Sequence, residues 1–82
     1  MDTLTVVREH IAAVAQAPVP DALDASLFES GTIDSWSMMD LVSRLEKAFG
    51  VKVPDADMRP QNFETLTRIT SYFERLESEQ PH

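Results

Sequence analysis

Between Asp34 and Gly50 lies the stretch that most limits what this chain can fold into. Met38, Leu41, Val42, Leu45 and Phe49 recur at three- and four-residue intervals, the spacing that places side chains on one face of an α-helix. It predicts a helix from Ser35 to Phe49, about 22 Å long at ~1.5 Å per residue. Both ends are marked. Asp34 is a strong N-cap residue, whose carboxylate accepts hydrogen bonds from N–H groups of the first turn, and Gly50 suits the C-terminal stop. Ile33 and Met38 stand at the two positions of a hydrophobic staple, and Gly31 permits a sharp turn just before them. Such a helix draws most of its stability from whatever covers its apolar stripe.

Two other segments can cover it. Leu4, Val7, Ile11 and Val14 predict a helix from Thr3 to about Gln16, with Asp2 or Thr3 as its cap. Leu66, Ile69, Phe73 and Leu76 predict a last helix from Leu66 to about Ser78 behind a Thr65 cap, with residues 79–82 expected to fray. Pro18 and Pro20 end the first helix. The segment from Ala17 to Thr32 therefore reads as a long loop, anchored by Leu23, Leu27 and Phe28 and with room for one helical turn near Asp24 to Phe28. Pro54 biases Val53 away from helix, which makes Val51 to Val53 an extended link. Beyond it, Asp55 is expected to cap one turn through Met58, and Pro60 to open a second through Phe63. Asp55-Ala56-Asp57 does not start a calcium loop, because Arg59, Pro60 and Leu66 fall where that loop needs a ligand, a glycine and a bidentate Glu. The expected fold is all-α: a single domain over residues 1–82, built as a small four-helix bundle of three longer helices and one short third helix, with a long first loop.

At 82 residues the chain is near the lower size at which one core holds a fold without disulfides or metals, and a large catalytic cleft is not expected. It has no cysteine, so any thiol chemistry must be imported. No apolar run has the length of a membrane span, and the N-terminus lacks the form of a signal peptide, so membrane insertion is not expected and the default address is the cytoplasm. Seven basic residues against fourteen acidic ones give a net charge of −7, which argues against nucleic acid as a partner. No Lys or Arg occurs between Arg8 and Arg44, while Glu9, Asp21, Asp24, Glu29, Asp34 and Asp40 are acidic. That field could steer basic partner surfaces toward Ser35, or simply keep a small protein soluble.

Enzyme readings find little support. A serine hydrolase needs a base beside its nucleophile, and no Gly-x-Ser-x-Gly elbow surrounds Ser35. The two histidines, His10 and His82, read as a solvated surface residue and part of a frayed terminus. Metal ligation lacks Cys and spaced His, and there is no glycine-rich phosphate loop. What remains is Ser35 itself. As the first helical residue its hydroxyl would sit beside unpaired backbone N–H groups and the positive end of the helix dipole, where a phosphate ester is electrostatically favoured. Trp36, Met39 and Ser43 lie outside the buried stripe, with Asp40 alongside. Either they form a small apolar patch rimmed by charge that recruits partners, or Trp36 folds back onto the loop as a core residue.

The run Leu27-Phe28-Glu29-Ser30-Gly31-Thr32-Ile33-Asp34-Ser35, followed by an amphipathic helix and by Leu41, Leu45, Phe49-Gly50 and Val53-Pro54, resembles the attachment region of phosphopantetheine-binding acyl, peptidyl and D-alanyl carrier proteins. Trp36 stands where the family usually has Leu. The resemblance implies an acyl-carrier-protein-like fold, with the short third helix after Pro54. It also implies a 4′-phosphopantetheine arm, moved from coenzyme A onto Ser35 by a phosphopantetheinyl transferase, whose thiol holds an acyl or aminoacyl cargo as a thioester. By position, Asp34 matches the residue before the modified serine, and Trp36, Met39, Asp40 and Ser43 match the face that partners read. Implied partners are an adenylate-forming ligase or acyltransferase that loads cargo and a downstream synthase or transferase, with the carrier itself a monomer and no enzyme. The second helix is nearly balanced, Asp34, Asp40 and Glu46 against Arg44 and Lys47, unlike the strongly acidic one of fatty-acid members. A free-standing carrier in specialised metabolism is therefore expected, with a D-alanyl carrier for cell-wall polymer modification as the alternative. An unmodified helical docking domain is the reading from another class.

Overall fold

The apolar stripe of the middle helix is buried as its spacing requires. The computed structural model describes residues 2–80 and contains three α-helices, α1 (Thr3–Val14), α2 (Ser35–Phe49) and α3 (Leu66–Glu79). On α2, Leu41 and Leu45 are fully buried and Met38 and Val42 nearly so. Phe49, expected inside, is only half-buried at the last turn, where its ring lies 5.5 Å from that of Phe73. α1 packs against both α2 and α3, contributing Val7 and Ile11, while α3 contributes Leu66, Ile69, Phe73 and Leu76.

The caps are local. Asp2, rather than Thr3, caps α1 by accepting the Thr5 N–H at 2.9 Å. Thr65 caps α3 by accepting the Arg68 N–H at 3.1 Å. Gly50 ends α2 in the left-handed conformation (φ 66°, ψ 36°), its N–H donated to the Glu46 carbonyl. A side chain at that φ would be strained, which is why glycine stands there.

Three boundaries differ from the sequence reading. α1 stops at Val14 because Ala15 turns extended and the Gln16 N–H donates to the Thr32 carbonyl at 2.9 Å, a tertiary bond that replaces a helical one. The short third helix that the resemblance implies is a pair of 3₁₀ turns, Asp55–Asp57 and Pro60–Phe63, the two turns expected from the residues themselves. Arg59 between them is extended (φ −123°, ψ 139°), as a residue before proline prefers, and this breaks the run. Asp55 lies inside the first turn and does not cap it; Pro54 precedes it with no side-chain cap. Finally, Glu79 is helical and Gln80 is held, not frayed. The Gln80 amide accepts the Lys52 N–H at 2.9 Å and donates to the Lys52 carbonyl at 2.8 Å, tying the end of α3 to the extended link. Pro81 and His82 lie outside the described residues.

The long loop is pinned at several points, which explains how so much irregular backbone stays in place. Leu27 is fully buried, its N–H donates to the Glu64 carbonyl at 2.8 Å, and its own carbonyl accepts the Ile33 N–H at 3.1 Å. The Ser26 hydroxyl bonds the Glu64 carboxylate. Leu23 anchors through its carbonyl, which accepts the Thr67 N–H at 3.2 Å, while its side chain is exposed. In place of a helical turn at Asp24 to Phe28, short hydrogen-bonded turns close at Ala25, Ser30 and Gly31. Thr32 is fully buried, its hydroxyl 2.8 Å from that of Ser30 and donating to the Pro18 carbonyl at 3.0 Å. Thr32→Val keeps the shape and strands that carbonyl, so a loss of about 1 to 3 kcal/mol is expected in urea unfolding.

Candidate functional site

Asp34 and Ser37 lock each other at the start of α2. The Asp34 carboxylate accepts the Ser37 N–H at 2.9 Å and the Ser37 hydroxyl at 3.0 Å, and the Asp34 N–H donates back to that hydroxyl at 2.8 Å. This is a capping box with serine at its third helical position. Ile33 and Met38, the staple pair, are both buried. The chain therefore enters the helix in one direction, and Ser35, its first residue, is left exposed.

The lock also sets the charge. The Ser37 N–H, then the Ser37 hydroxyl, and after these the Gln16 side chain and the Trp36 N–H, hold the Asp34 carboxyl below its ordinary 3.8. A lowered folded-state pKa means that the cap's contribution is complete above 3.8 and is lost as pH falls through the lowered value. Asp34→Asn should remove that part of the acid sensitivity, leaving a flatter thermal midpoint between about pH 5 and pH 2 than the parent shows. Asp2, lowered first by the Thr5 N–H and then by its hydroxyl, follows the same sign at α1.

The surface next to Ser35 is apolar. Trp36 is 83% exposed and Met39 58% exposed, so the indole does not fold back onto the loop. Asp40 and Ser43 are exposed on the same helix, and Asp40 faces Arg44 one turn on at 3.7 Å. Thus Ser35, Trp36, Met39, Asp40 and Ser43 all lie on the solvent side of α2, with Asp34 exposed at its head. Met39 and Ser43 also line a shallow groove with Val42, Val53 and Met58. His10, read as a solvated residue, is half-buried and lines a cleft between α1 and α2. Two contributors escaped the sequence reading. Ser37 is hard to foresee because a capping box is usually recognised by Glu or Gln at that position; Gln16 falls in the last turn of the expected first helix, and no local pattern signals its influence on Asp34.

Chemically the site is simple. Among the described residues no hydrogen bond holds the Ser35 hydroxyl, and no three metal-ligating side chains gather anywhere. With no base bonded to it, the Ser35 hydroxyl is at most a weak nucleophile. An exposed hydroxyl on the first helical residue, fixed by a locked cap, fits a phosphate ester at the positive end of the dipole.

Comparison with known proteins identifies the family. Residues 5–73 match the family model described as "Phosphopantetheine attachment site". The D-alanyl carrier proteins of Streptococcus pyogenes serotype M1 and of serotype M5 (strain Manfredo) are each 32% identical over 59 residues, 72% of this chain and 75% of theirs. The carrier protein from Agrobacterium tumefaciens, crystallised with an engineered Bradyrhizobium japonicum glycine:[carrier protein] ligase and ATP, superposes with a TM-score of 0.78 at 24% identity. That match covers 89% of this chain and 97% of the other and shows a shared fold. A match across so much of the chain, with relatives above 30% identity, shows that it belongs to the phosphopantetheine-binding carrier protein family, whose members carry the cofactor and do not catalyse.

Proposed function

We propose that Ser35 is the residue that bears the 4′-phosphopantetheine arm, and that the protein carries an aminoacyl group. The observation that supports the site is the exposed Ser35 hydroxyl at the head of α2, beside a capping box that consumes Asp34 and Ser37 but leaves Ser35 free. When bound, the arm supplies the thiol that this cysteine-free chain lacks, and with it a thioester link to cargo. The chain's own residues do the rest. Ser35 provides the ester oxygen, the Asp34–Ser37 lock fixes its direction, and Trp36 and Met39, with Asp40 and Ser43 at their edge, offer a docking surface beside it. The phosphopantetheinyl transferase that installs the arm and the ligase that loads it both have to reach this helix end. Tethering then raises the local concentration of cargo at each partner's active site.

Support for aminoacyl over fatty-acyl cargo comes from the relatives, which are D-alanyl carriers, and from the fold neighbour's glycine ligase. The balanced charge of α2 points the same way. D-alanine is the specific second reading, favoured by the streptococcal similarity. Coenzyme A is the donor of the arm in this reading, which supports a cytoplasmic address.

Incubation with coenzyme A and a broad-specificity transferase, followed by intact mass, tests the carrier reading. One phosphopantetheine adduct is expected, and none would mean an unmodified docking domain. Offering the arm-bearing form to amino-acid- and fatty-acid-activating ligases with ATP tests the cargo. Aminoacyl adducts are expected, and acyl adducts alone would contradict that part.

A further inference from the structure

The outward face of α2 does not share the sign of the rest of the molecule. The chain carries a net charge of −7, and Asp21, Asp24, Glu29 and Asp34 are all exposed on the segment leading to Ser35. Yet the exposed charges within α2 are Asp40, Arg44 and Lys47, one acid against two bases. Its remaining acid, Glu46, is half-buried and engaged elsewhere, accepting the Val53 N–H at 2.8 Å. The Asp40–Arg44 contact, 3.7 Å long between side chains about half exposed, is the sole ion pair among the described residues. A pair of that kind contributes little and exchanges partners readily. Lys47 has no such partner there.

These cations are placed together. Arg44 and Lys47 line the shallow cleft between α1 and α2 with His10, Asp40, Ser43 and Ala48. They lie nine and twelve residues beyond Ser35, roughly 13 to 18 Å along the helix at ~1.5 Å per residue. A partner footprint of about 800 Å², some 30 Å across, with Ser35 toward one edge would cover both.

We propose that this cleft docks a carboxylate-bearing segment of a partner enzyme, so that the carrier is read with opposite charges at its two ends, acidic around Ser35 and cationic at the far end of α2. The proposal rests on the carrier reading. A carboxylate set between Arg44 and Lys47 gains charge-assisted hydrogen bonds. A uniformly basic partner surface is repelled at that end, which fixes the register of docking and excludes enzymes built for an acidic helix.

The test is an amide-resolved NMR titration of the unmodified protein at low salt with an amphipathic helical peptide carrying glutamates on its polar face. The same peptide with lysines is the control. Saturable shifts centred on His10, Ser43, Arg44 and Lys47 are expected, weakened by salt and weakened about tenfold or more in R44E/K47E, with R44Q/K47Q between. The lysine peptide should instead perturb the segment from Asp21 to Asp34. Shifts that avoid the cleft, no shifts at all, or binding indifferent to R44E/K47E would overturn the proposal. Because the titration needs no arm, its outcome is independent of whether Ser35 is modified, which intact mass reads separately.

Discussion

Ser35→Ala should abolish phosphopantetheine attachment while leaving folding stability within about 0.5 kcal/mol of the parent, as an exposed substitution normally does. Ser37→Ala, two residues on, should do the reverse. It breaks the bonds that join the Ser37 hydroxyl to the Asp34 N–H and carboxylate, a loss of about 1 kcal/mol, or roughly 4 to 8 °C in thermal midpoint for a domain of this size. Attachment should persist, because the acceptor hydroxyl is intact. Intact mass and a thermal melt on the two variants together separate the oxygen that reacts from the oxygen that holds the helix. If both variants accepted the arm, Ser35 would not be the acceptor.

The largest structural effect is expected at Phe73. Its ring is fully buried, packs edge-on against Tyr72 at 5.4 Å and meets Phe49 at 5.5 Å. Phe73→Ala removes those contacts and leaves a cavity, for a loss of about 3 to 5 kcal/mol. Small domains hold only about 5 to 15 kcal/mol in total, so this variant should be partly unfolded at physiological temperature. Phe49→Ala should cost less, since that ring is only partly buried, at the edge of the core. Urea unfolding of the pair checks the ranking, and an equal loss at both positions would mean that the core does not centre on α3.

Tyr72 shows why one stretch of the fold was hard to read from sequence. Its hydroxyl donates to the Asp57 carboxylate at 2.7 Å, and Arg75 lies over its ring at 5.3 Å. Burial, the bond to Asp57 and that carboxylate's charge all push the phenol upward. Residue 72 stands three beyond Ile69 and four before Leu76, at the border of the apolar stripe, but the bond that satisfies its hydroxyl comes from the Asp55–Asp57 turn, which no local spacing announces. The long loop is similar. Leu27 and Phe28 marked it as anchored, but Ser26 to Glu64 and Leu23 to Thr67 are contacts between distant residues that no local pattern announces.

By contrast, α2 was legible from end to end, because cap, staple, stripe and stop are all local signals that agree. The exposed position of Ser35 followed from the same signals, and so did the outward placement of Met39, Asp40 and Ser43. Trp36 did not. A large apolar side chain outside a stripe has two solutions, and choosing the solvent side required the neighbouring loop to be seen already packed by Leu27, Thr32 and Ile33.

Fragment-level mass spectrometry of the modified protein bears most directly on the central claim, that the free hydroxyl at the head of α2 is the point of attachment. The adduct should be found on Ser35 and on no other residue. An adduct on Ser37 or on any hydroxyl away from the helix start would contradict it.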